Sequence, residues 1–407
     1  MTHILYISYD GMLEPLGQSQ VLAYLKRLAD GRRIHLISFE KAEDWANVVA
    51  RERLASDITA SGIVWHPLRY HKRPTALATA WDIACGIALG MWLVVRHRLR
   101  IVHARSYVPS VIALFLKNVF RLKFVFDMRG LWADERVDCG LWSQGSSLYR
   151  AAKWLERRFL LAADQVVSLT QAAVDEMRKF PYLQDHMPRF EVITTCADLE
   201  LFKLDTTEHE QPAHDRPFTL GYVGSAGVSY LFDETLQCFK ILRKVVPDAQ
   251  LHILNRGEHA YIRERLNYHQ IDPTAVRLEM TNHTGVANAM CHMDAGIFFI
   301  KQAYSKMASA PTKLGEFLGC GVPCLGNTRV GDMATILEGE RVGVALEDFS
   351  EASMQNAISR LLQLSREPDI DKRCRQVAQD YFSLETGVKR YNRIYLDLLG
   401  GVTLKLD

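Results

Sequence analysis

The sequence has little excess charge, and its cysteines lack paired spacings. Its 49 lysine and arginine residues nearly balance 47 aspartate and glutamate residues, giving a formal net charge of +2. This balance gives no reason to expect a nucleic-acid partner. The eight cysteines do not form a zinc or disulfide pattern, because Cys320 and Cys324 flank a Gly-Val-Pro turn without a second pair. We therefore expect reduced, mostly buried thiols in a cytoplasmic protein.

Hydrophobic runs long enough to span a bilayer are also lacking. The opening MTHILYISYD has no basic leader before a long apolar core, so no signal peptide is expected. The apolar run Ile83–Val95 has 13 residues, fewer than the roughly 20 that cross a membrane. Basic residues flank it on both sides. Two interpretations stay open: a buried helix in the outer layer of a sheet, or a helix near residues 76–100 resting peripherally on an anionic inner membrane face.

The chain does contain a regular alternation of apolar strands and helical patterns. At 407 residues it is too long for one ordinary core. Strand-like segments begin near residues 3, 33, 63, 100, 123, 165 and 190, and a second series begins near 219, 250, 275, 294, 321 and 341. The alternation predicts an α/β fold of two Rossmann-like domains, 1–203 and 218–383, with parallel sheets facing across a cleft. The polar, proline-containing residues 204–217 are the predicted linker.

One segment of the second domain indicates a ligand. Lys313–Cys324, KLGEFLGCGVPC, places one carboxylate on a short helix that leads into a glycine turn and a buried strand. Ser309 to Thr312, with Pro311 between them, is a helix-start signal. The first amides of such a helix suit phosphate, and Glu316 could accept hydrogen bonds from ribose hydroxyls. The segment predicts a nucleoside-diphosphate site, although an exposed Glu316 on an ordinary amphipathic helix also fits.

A glycine-rich turn follows the first strand of the same domain. This turn, GYVGSAG, contains Gly224 and Ser225 but is not G-x-G-x-x-G, and Asn255-Arg256-Gly257 replaces the acidic residue of a nicotinamide site. It would either let backbone approach a ligand or serve as a structural turn. A helix dipole contributes on the order of 0.3–2 kcal/mol, whereas micromolar binding needs about 8 kcal/mol, so a cation is expected nearby. The candidates, of which the first two are favoured, are Lys306, Arg256, Lys313 and Lys301.

The sequence PTKLGE from Pro311 to Glu316 resembles the nucleotide-sugar signature of the retaining glycosyltransferases of family 4, in a variant found in bacterial polysaccharide enzymes. The resemblance implies the GT-B fold, with a C-terminal helical tail, 384–407, crossing back onto the first domain. It also implies a metal-independent hexosyltransferase that moves a sugar from a nucleotide-diphosphate donor to a glycan or lipid-linked glycan in cell-surface polysaccharide synthesis.

Two departures from the family pattern leave the donor sugar open. The first glutamate of the family's Glu-x7-Glu pattern falls on Ala308, so Ser309 or nearby backbone would have to take its place. The loop Ser225–Tyr230 lacks the arginine and lysine that family members place there.

In the first domain, the densest polar cluster follows the strand that ends at Asp127. Loops at strand C-termini carry function in this fold class. The candidate catalytic residues are Asp127, Arg129 and Glu135, with Trp132 or Trp142 as a stacking platform. The alternative is a loop of internal salt bridges in which Asp134 caps a helix. The resemblance implies that Asp127 replaces a histidine that holds the donor sugar, where it could bind sugar hydroxyls or stabilise developing positive charge.

Two other loops of this domain are candidates for the acceptor side. The resemblance implies that Gly11–Gly17, with Gln18 beside it, lies over the reacting centre. His103 and Arg105 end another strand and resemble a short histidine motif of the family, although a core histidine is the other interpretation.

Neither a metal site nor a cofactor is expected. Asp369 and Asp371 form a D-x-D sequence, but they stand between two helical stretches, where structural capping is the favoured interpretation. Two other functions remain open. One is a sugar-nucleotide epimerase of the same fold, and the other is a non-catalytic nucleotide-sugar-binding protein of a polysaccharide assembly.

Overall fold

The computed structural model describes residues 2–204 and 216–400, and these form two compact units. The first unit consists of the chain up to Ile193 together with the residues from Gly387 onward. The second unit consists of Thr194–Thr386. Each unit contains one parallel sheet whose strands alternate with helices. This confirms the predicted α/β fold of two Rossmann-like domains.

The sheet of the first unit has seven strands in the order β3-β2-β1-β4-β5-β6-β7. Every paired strand is parallel, and the chain order reverses beside β1, as in doubly wound folds. The central strands are buried along their length, which explains their near-continuous apolar sequences. The strands are β1 (Thr2–Ser8), β2 (Arg32–Glu40), β3 (Ile63–Arg69), β4 (Ile101–Arg105), β5 (Lys123–Asp127), β6 (Gln165–Ser168) and β7 (Phe190–Val192).

Helices connect these strands. A π-helical turn, Gln18–Leu22, lies between β1 and β2, and a 3-10 turn, Pro181–Leu183, lies between β6 and β7. The helices are α1 (Pro15–Gly17), α2 (Ala23–Leu28), α3 (Ala42–Trp45), α4 (Val48–Ala60), α5 (Thr75–His97), α6 (Tyr107–Phe120), α7 (Trp132–Asp138), α8 (Ser147–Ala162) and α9 (Gln171–Met177).

The sheet of the second unit has six parallel strands in the order β10-β9-β8-β11-β12-β13. The strands are β8 (Thr219–Val223), β9 (Gln250–Leu254), β10 (Val276–Glu279), β11 (Ala295–Ile297), β12 (Cys324–Asn327) and β13 (Gly343–Leu346). The helices are α10 (Phe232–Val245), α11 (His259–Tyr268), α12 (His283–Met290), α13 (Thr312–Gly319), α14 (Met333–Gly339), α15 (Glu351–Leu364) and α16 (Ile370–Val377). Short 3-10 turns occupy Pro273–Ala275 and Tyr304–Ala308, and a π-helical turn occupies Ala378–Phe382.

The boundary between the units lies ten residues before the predicted one. Residues 194–203 belong to the second unit, because Phe202 is buried in that unit's core and its carbonyl accepts a hydrogen bond from Arg375. The last helix, α17 (Leu384–Leu398), belongs to the first unit from Gly387 onward. Of the predicted linker, residues 205–215 lie outside the described part of the chain, as do residues 401–407 of the predicted tail.

Helix α5 contains the apolar run singled out in the sequence, extended to 23 residues. Within the described residues it is the one helix long and apolar enough to cross a membrane, which by itself is weak evidence of a span. Its inner face packs on α6, where Cβ atoms at Gly86 and Gly90 would come within 2.4 Å of Ile112 and 2.7 Å of Leu116. The buried Asp82 carboxylate accepts a hydrogen bond from the Tyr9 hydroxyl at 2.8 Å. The helix is therefore fixed to the unit along one side.

Candidate functional site

The glycine-rich turn after β8 is held in place by the carboxylate of Glu258, which follows the end of the neighbouring strand β9. Gly224 has a φ of +103°, a conformation that L side chains rarely adopt. Glu258 accepts hydrogen bonds from the amides of Ala226 and Gly227 at 2.9 and 3.0 Å and from the Ser225 hydroxyl at 2.7 Å. Burial alone would raise the pKa of Glu258, but these hydrogen bonds hold it below its usual range. The turn therefore has a fixed shape, set by a residue that sequence reasoning missed.

Lys313 lies beneath this turn without a polar partner. Its side chain is buried, and Nζ has no hydrogen-bond partner among the described residues. A Cβ at Gly224 would lie 3.0 Å from Nζ, so the turn passes close to the ammonium. The ammonium lies 4.0 Å from the centroid of the Tyr230 ring and 5.4 Å from those of Tyr222 and Phe298.

Burial lowers the pKa of Lys313 to about 7, with Glu316 and Glu258 opposing the shift from a distance. A buried lysine without a counter-charge is costly, and such a group calls for an explanation. An anionic ligand at the turn would supply the missing charge. Lys313 is thus the cation best placed to meet a phosphate group.

Helix α13 begins at Thr312, directly before this lysine, with Pro311 at the N-cap position. Ser309 and Thr312 are half-buried, and the Ser309 amide donates to the Lys306 carbonyl at 3.1 Å. Glu316, one turn into the helix, keeps 15% of its side chain exposed and lies 4.0 Å from His283 Nε2. The nearby Glu316 carboxylate, which favours the charged imidazolium, raises the pKa of His283. The helix start, Lys313 and Glu316 therefore lie on one short segment, as the signature suggested.

The two cations favoured by sequence reasoning, Arg256 and Lys306, stay predictions. Arg256 is exposed at the turn after β9, and Lys306 is buried in a 3-10 turn where its carbonyl accepts a hydrogen bond from the Gly331 amide at 2.9 Å. Lys301 is exposed. The preference for Arg256 and Lys306 rested on chain position alone. Chain position does not show which cationic side chain lies beneath the turn. Ala308, at the expected first glutamate of the signature, is buried.

In the first unit, Asp127 lies in a buried polar cluster covered by α17. The Tyr391 hydroxyl donates to Asp127 Oδ2 at 3.0 Å, and His103 Nε2 lies 3.6 Å from the same oxygen. The other ring nitrogen of His103 lies 2.7 Å from the Tyr395 hydroxyl. Asp127 is 1% exposed, which leaves no surface for a substrate. Direct contact of Asp127 with the sugar, as expected from the sequence, therefore does not fit this structure.

Arg129 is the more exposed member of this cluster. Its guanidinium lies 3.9 Å from Asp127 Oδ1 and is partly exposed, and its backbone has a φ of +59°. Burial alone would raise the pKa of Asp127, but the charges of Arg129 and Arg105 hold it below its usual range. Arg105 itself is buried and pairs with Asp10 at 3.2 Å. Asp127 thus positions Arg129, which could meet a ligand's hydroxyl or phosphate oxygen.

The rest of the polar cluster after β5 forms an internal salt-bridge network. The buried Asp134 accepts hydrogen bonds from the Tyr149 hydroxyl at 2.8 Å and from Lys153 Nζ at 2.9 Å. Lys153 also pairs with the buried Glu156. Glu135 is exposed on α7, and the carboxylate that takes part in the network is that of its neighbour Asp134. Asp134 does not cap α7, whose N-cap position is Leu131.

The loop from Gly11 to Gly17 is fixed by a buried carboxylate. Glu40, the last residue of β2, accepts hydrogen bonds from the amides of Met12 and Leu13 at 2.9 and 3.2 Å. A Cβ at Gly17 would lie 2.0 Å from the Gly11 carbonyl oxygen, so the loop closes tightly on itself. Gln18 is exposed at the start of the π-helical turn, a distortion that often marks functional sites.

The D-x-D sequence lies at the start of a helix but does not cap it through a side chain. Asp369 occupies the N-cap position of α16 with a φ of +65° and pairs with Lys372 at 2.7 Å, but its side chain makes no capping hydrogen bond. The expected capping contact is therefore absent, and the pair with Lys372 is an exposed surface contact.

Comparison with known proteins gives a family match over part of the chain and a set of similar solved structures. Residues 18–186, within the first unit, match a protein family described as Glycosyl transferase 4-like domain. No curated protein matches the sequence. The two-unit α/β fold is that of the GT-B glycosyltransferases, as solved structures show.

Three such structures are similar over nearly the whole chain. A glycosyltransferase from Rickettsia africae has a TM-score of 0.70 at 13% identity, with 98% of both chains covered. Sucrose-phosphate synthase from Thermosynechococcus elongatus has a TM-score of 0.68 at 14% identity, covering 98% of this chain and 100% of that one. HepE from Anabaena, solved with UDP and glucose, has a TM-score of 0.66 at 15% identity, covering 97% and 99%. At these identities the similarity establishes the fold.

Proposed function

We propose that this protein is a retaining glycosyltransferase that moves a sugar from a nucleotide-diphosphate donor to a glycan or lipid-linked glycan in cell-surface polysaccharide synthesis. The observation that carries the proposal is the buried, unpartnered Lys313 beneath the glycine turn of the second unit. The family match and the UDP bound to HepE support it. Retention of configuration and a hexose donor rest on the resemblance of the signature segment.

The second unit would bind the donor. The diphosphate would take the place beside Gly224, where Lys313 Nζ supplies charge and the first amides of α13 supply hydrogen bonds. Glu316, one turn along, would accept hydrogen bonds from the ribose hydroxyls. Because a lysine and helix amides can neutralise a leaving diphosphate, we propose that transfer needs neither a divalent metal ion nor a cofactor.

The first unit would receive the acceptor. Arg129, oriented by Asp127, is its most accessible charged side chain in the buried cluster. The fixed loop Gly11–Gly17 with Gln18 would contribute to the same surface through its shape. In a transferase whose sugar develops positive charge, Arg129 would bind acceptor or phosphate oxygens rather than act as a base.

The proposal is tested by incubating the protein with a panel of UDP-, GDP- and ADP-sugars, with and without lipid-linked acceptors from a bacterial membrane extract. We expect release of the nucleotide that depends on acceptor, with label transferred to the glycan. Conversion of the donor sugar to an epimer without acceptor, followed by NMR, would instead indicate the epimerase. Donor binding without turnover under any acceptor would indicate a binding protein.

We also propose that the protein is cytoplasmic and rests on the anionic inner face of a membrane through the outer face of α5. This face carries the exposed side chains of Leu77, Trp81, Trp92 and Val95, spaced along one stripe of the helix. The exposed Phe115 and Val119 of α6 extend the apolar surface. Trp81 is 61% exposed and Trp92 56%, and tryptophan favours the membrane–water interface.

The ends of α5 favour an anionic surface. Exposed basic residues stand before the helix at positions 72 and 73, in its last turn at 96, and after it at 98 and 100. Each would add about 1 kcal/mol of attraction near an anionic leaflet. Because the buried Asp82 and the close glycines fix the opposite side to the protein, the helix would lie on the surface rather than cross it.

Vesicle binding tests this surface. The double variant Trp81→Gln/Trp92→Gln should bind vesicles of phosphatidylcholine and phosphatidylglycerol at least about tenfold more weakly, since burying a large apolar side chain is worth about 1.5–3 kcal/mol. Trp154→Gln, at an exposed tryptophan of α8, is the matched control and should bind normally. Equal binding of all three proteins would contradict the proposal.

A further inference from the structure

Four histidines lie together in the first unit on one face of the sheet. His3, His35 and His66 come from the adjacent strands β1, β2 and β3, and His97 is the last residue of α5. In the parallel register, Leu5 pairs with His35 and Ile37 with His66. Each histidine is thus displaced by two residues from the one on the next strand, which keeps all three side chains on the same face.

The spacing of three of these imidazoles suits a metal ion. His3 Nδ1 lies 3.2 Å from His35 Nε2, and one ligand nitrogen from each of His3, His35 and His97 lies within 4.8 Å of the others. Two nitrogens about 2.05 Å from a tetrahedral Zn²⁺ are roughly 3.3 Å apart. The first pair already has this separation, and a small rotation of the His97 ring, at the end of its helix, would bring in the third.

The fourth histidine is placed as an outer support. His35 Nδ1 lies 3.3 Å from His66 Nε2. If Nε2 of His35 binds a metal ion, its Nδ1 carries the proton and donates it to His66, which fixes the tautomer and orientation of the ligand. His35 is buried, whereas His3 and His97 are partly exposed, so an ion could enter from solvent.

We propose that His3, His35 and His97 bind one divalent transition-metal ion, Zn²⁺ in the first instance, with His66 supporting His35. All-imidazole ligation suits Zn²⁺, Ni²⁺ and Cu²⁺, and a fourth position would remain for water. Arg33 and Arg96 add positive charge near His97, which opposes binding of a cation, so the affinity would have to come from the imidazole nitrogens. The site would join the end of α5 to strands β1 and β2.

This proposal is independent of the proposed sugar transfer. The histidines belong to β1, β2, β3 and the end of α5 in the first unit, whereas Lys313 and Glu316 belong to the second unit. The metal ion would thus have a structural role, holding the helix that carries the proposed membrane surface.

The test is calorimetric titration of ZnSO₄ into the metal-free, full-length protein without a histidine tag. We expect one saturable site, a higher melting temperature with Zn²⁺, and a tetrahedral absorption spectrum with Co²⁺. His66→Phe should weaken Zn²⁺ binding about 10–100-fold, as for other outer-shell partners, and His3→Gln should weaken it more. His186→Gln, at an exposed histidine of the same unit, should bind normally.

The wild-type titration is decisive even if a variant fails to fold. Absence of saturable Zn²⁺, Ni²⁺ and Cu²⁺ binding would overturn the proposal and leave a hydrogen-bonded imidazole chain. Binding that survives in both His3→Gln and His97→Gln would also overturn it. Because the readout is metal binding, failure here leaves the assay of sugar transfer unaffected.

Discussion

The two units differ in whether their buried charged side chains have a partner of opposite charge. In the first unit, Asp127 faces Arg129 and Asp134 pairs with Lys153 at 2.9 Å, so both of these buried carboxylates have a cation beside them. In the second unit, Lys313 is surrounded by aromatic rings, and no carboxylate of the described residues lies within ion-pair distance. A partner charge compensates a buried charge, whereas an unpaired buried charge reduces stability unless a ligand supplies its partner. The contrast points to the second unit as the anion-binding one.

The largest expected effect is on stability at Lys313. Burial lowers its folded-state pKa from 10.5 to about 7, so between these pH values the unfolded state binds more protons. Stability therefore rises with pH through that window, and at pH 7 the lysine costs on the order of 4 kcal/mol. Lys313→Met should raise the free energy of unfolding at pH 7, and the gain over wild type should shrink towards pH 10.

Urea unfolding of both proteins between pH 7 and pH 10 checks this prediction. Lys240→Met, at an exposed lysine of the same unit, is the matched control and should show no such pH-dependent gain. If Lys313→Met were less stable than wild type at every pH, Nζ would have a partner and the contrast between the units would disappear.

A smaller effect of opposite sign is expected at Asp127. Asp127→Asn removes the charge that faces Arg129, and breaking a buried ion pair costs about 3 kcal/mol. The carboxylate's stabilisation is present above its unfolded pKa and lost as pH falls below it, since its folded pKa is depressed. Thermal unfolding at pH 7 should show a clear loss relative to the exposed control Asp185→Asn. Normal stability with a large loss of turnover would restore a direct catalytic role for Asp127.

The smallest effect concerns the ribose. Glu316→Ala should weaken UDP binding by about tenfold or more, because charge-assisted hydrogen bonds are worth about 1.5–3 kcal/mol. Wild type should bind UDP better than 2′,3′-dideoxy-UDP, and the variant should not distinguish them. Calorimetry with the exposed control Glu347→Ala checks this. Preserved discrimination in Glu316→Ala would remove Glu316 from the ribose site.

Strand positions could be predicted from the sequence because parallel strands buried on both faces leave continuous apolar runs. All thirteen strand-like segments coincide with β1–β13. The boundary between the units was misplaced, because Phe202 looks like part of the preceding apolar pattern but packs in the second core. A local pattern does not show which core a side chain enters.

The candidate site was predictable at the level of segments and not of contacts. The signature segment directs attention to the start of α13, but the sequence does not show that, among Lys306, Arg256 and Lys313, it is Lys313 that lies under Gly224. Asp127 looked accessible because it ends a strand, and its burial depends on Tyr391, 264 residues further along. Glu40 and Glu258 were missed, although each stands at or just after a strand end beside a glycine-rich loop.

The central claim is that Lys313 is held without a partner in order to meet a diphosphate. UDP should raise its pKa back towards the ordinary value, so binding near pH 8.5 should take up a proton. Calorimetric titration of UDP in buffers of different ionisation enthalpy measures this uptake directly. We expect proton uptake in wild type, and neither uptake nor comparable affinity in Lys313→Met. Equal affinity and equal proton uptake in the two proteins would contradict the account.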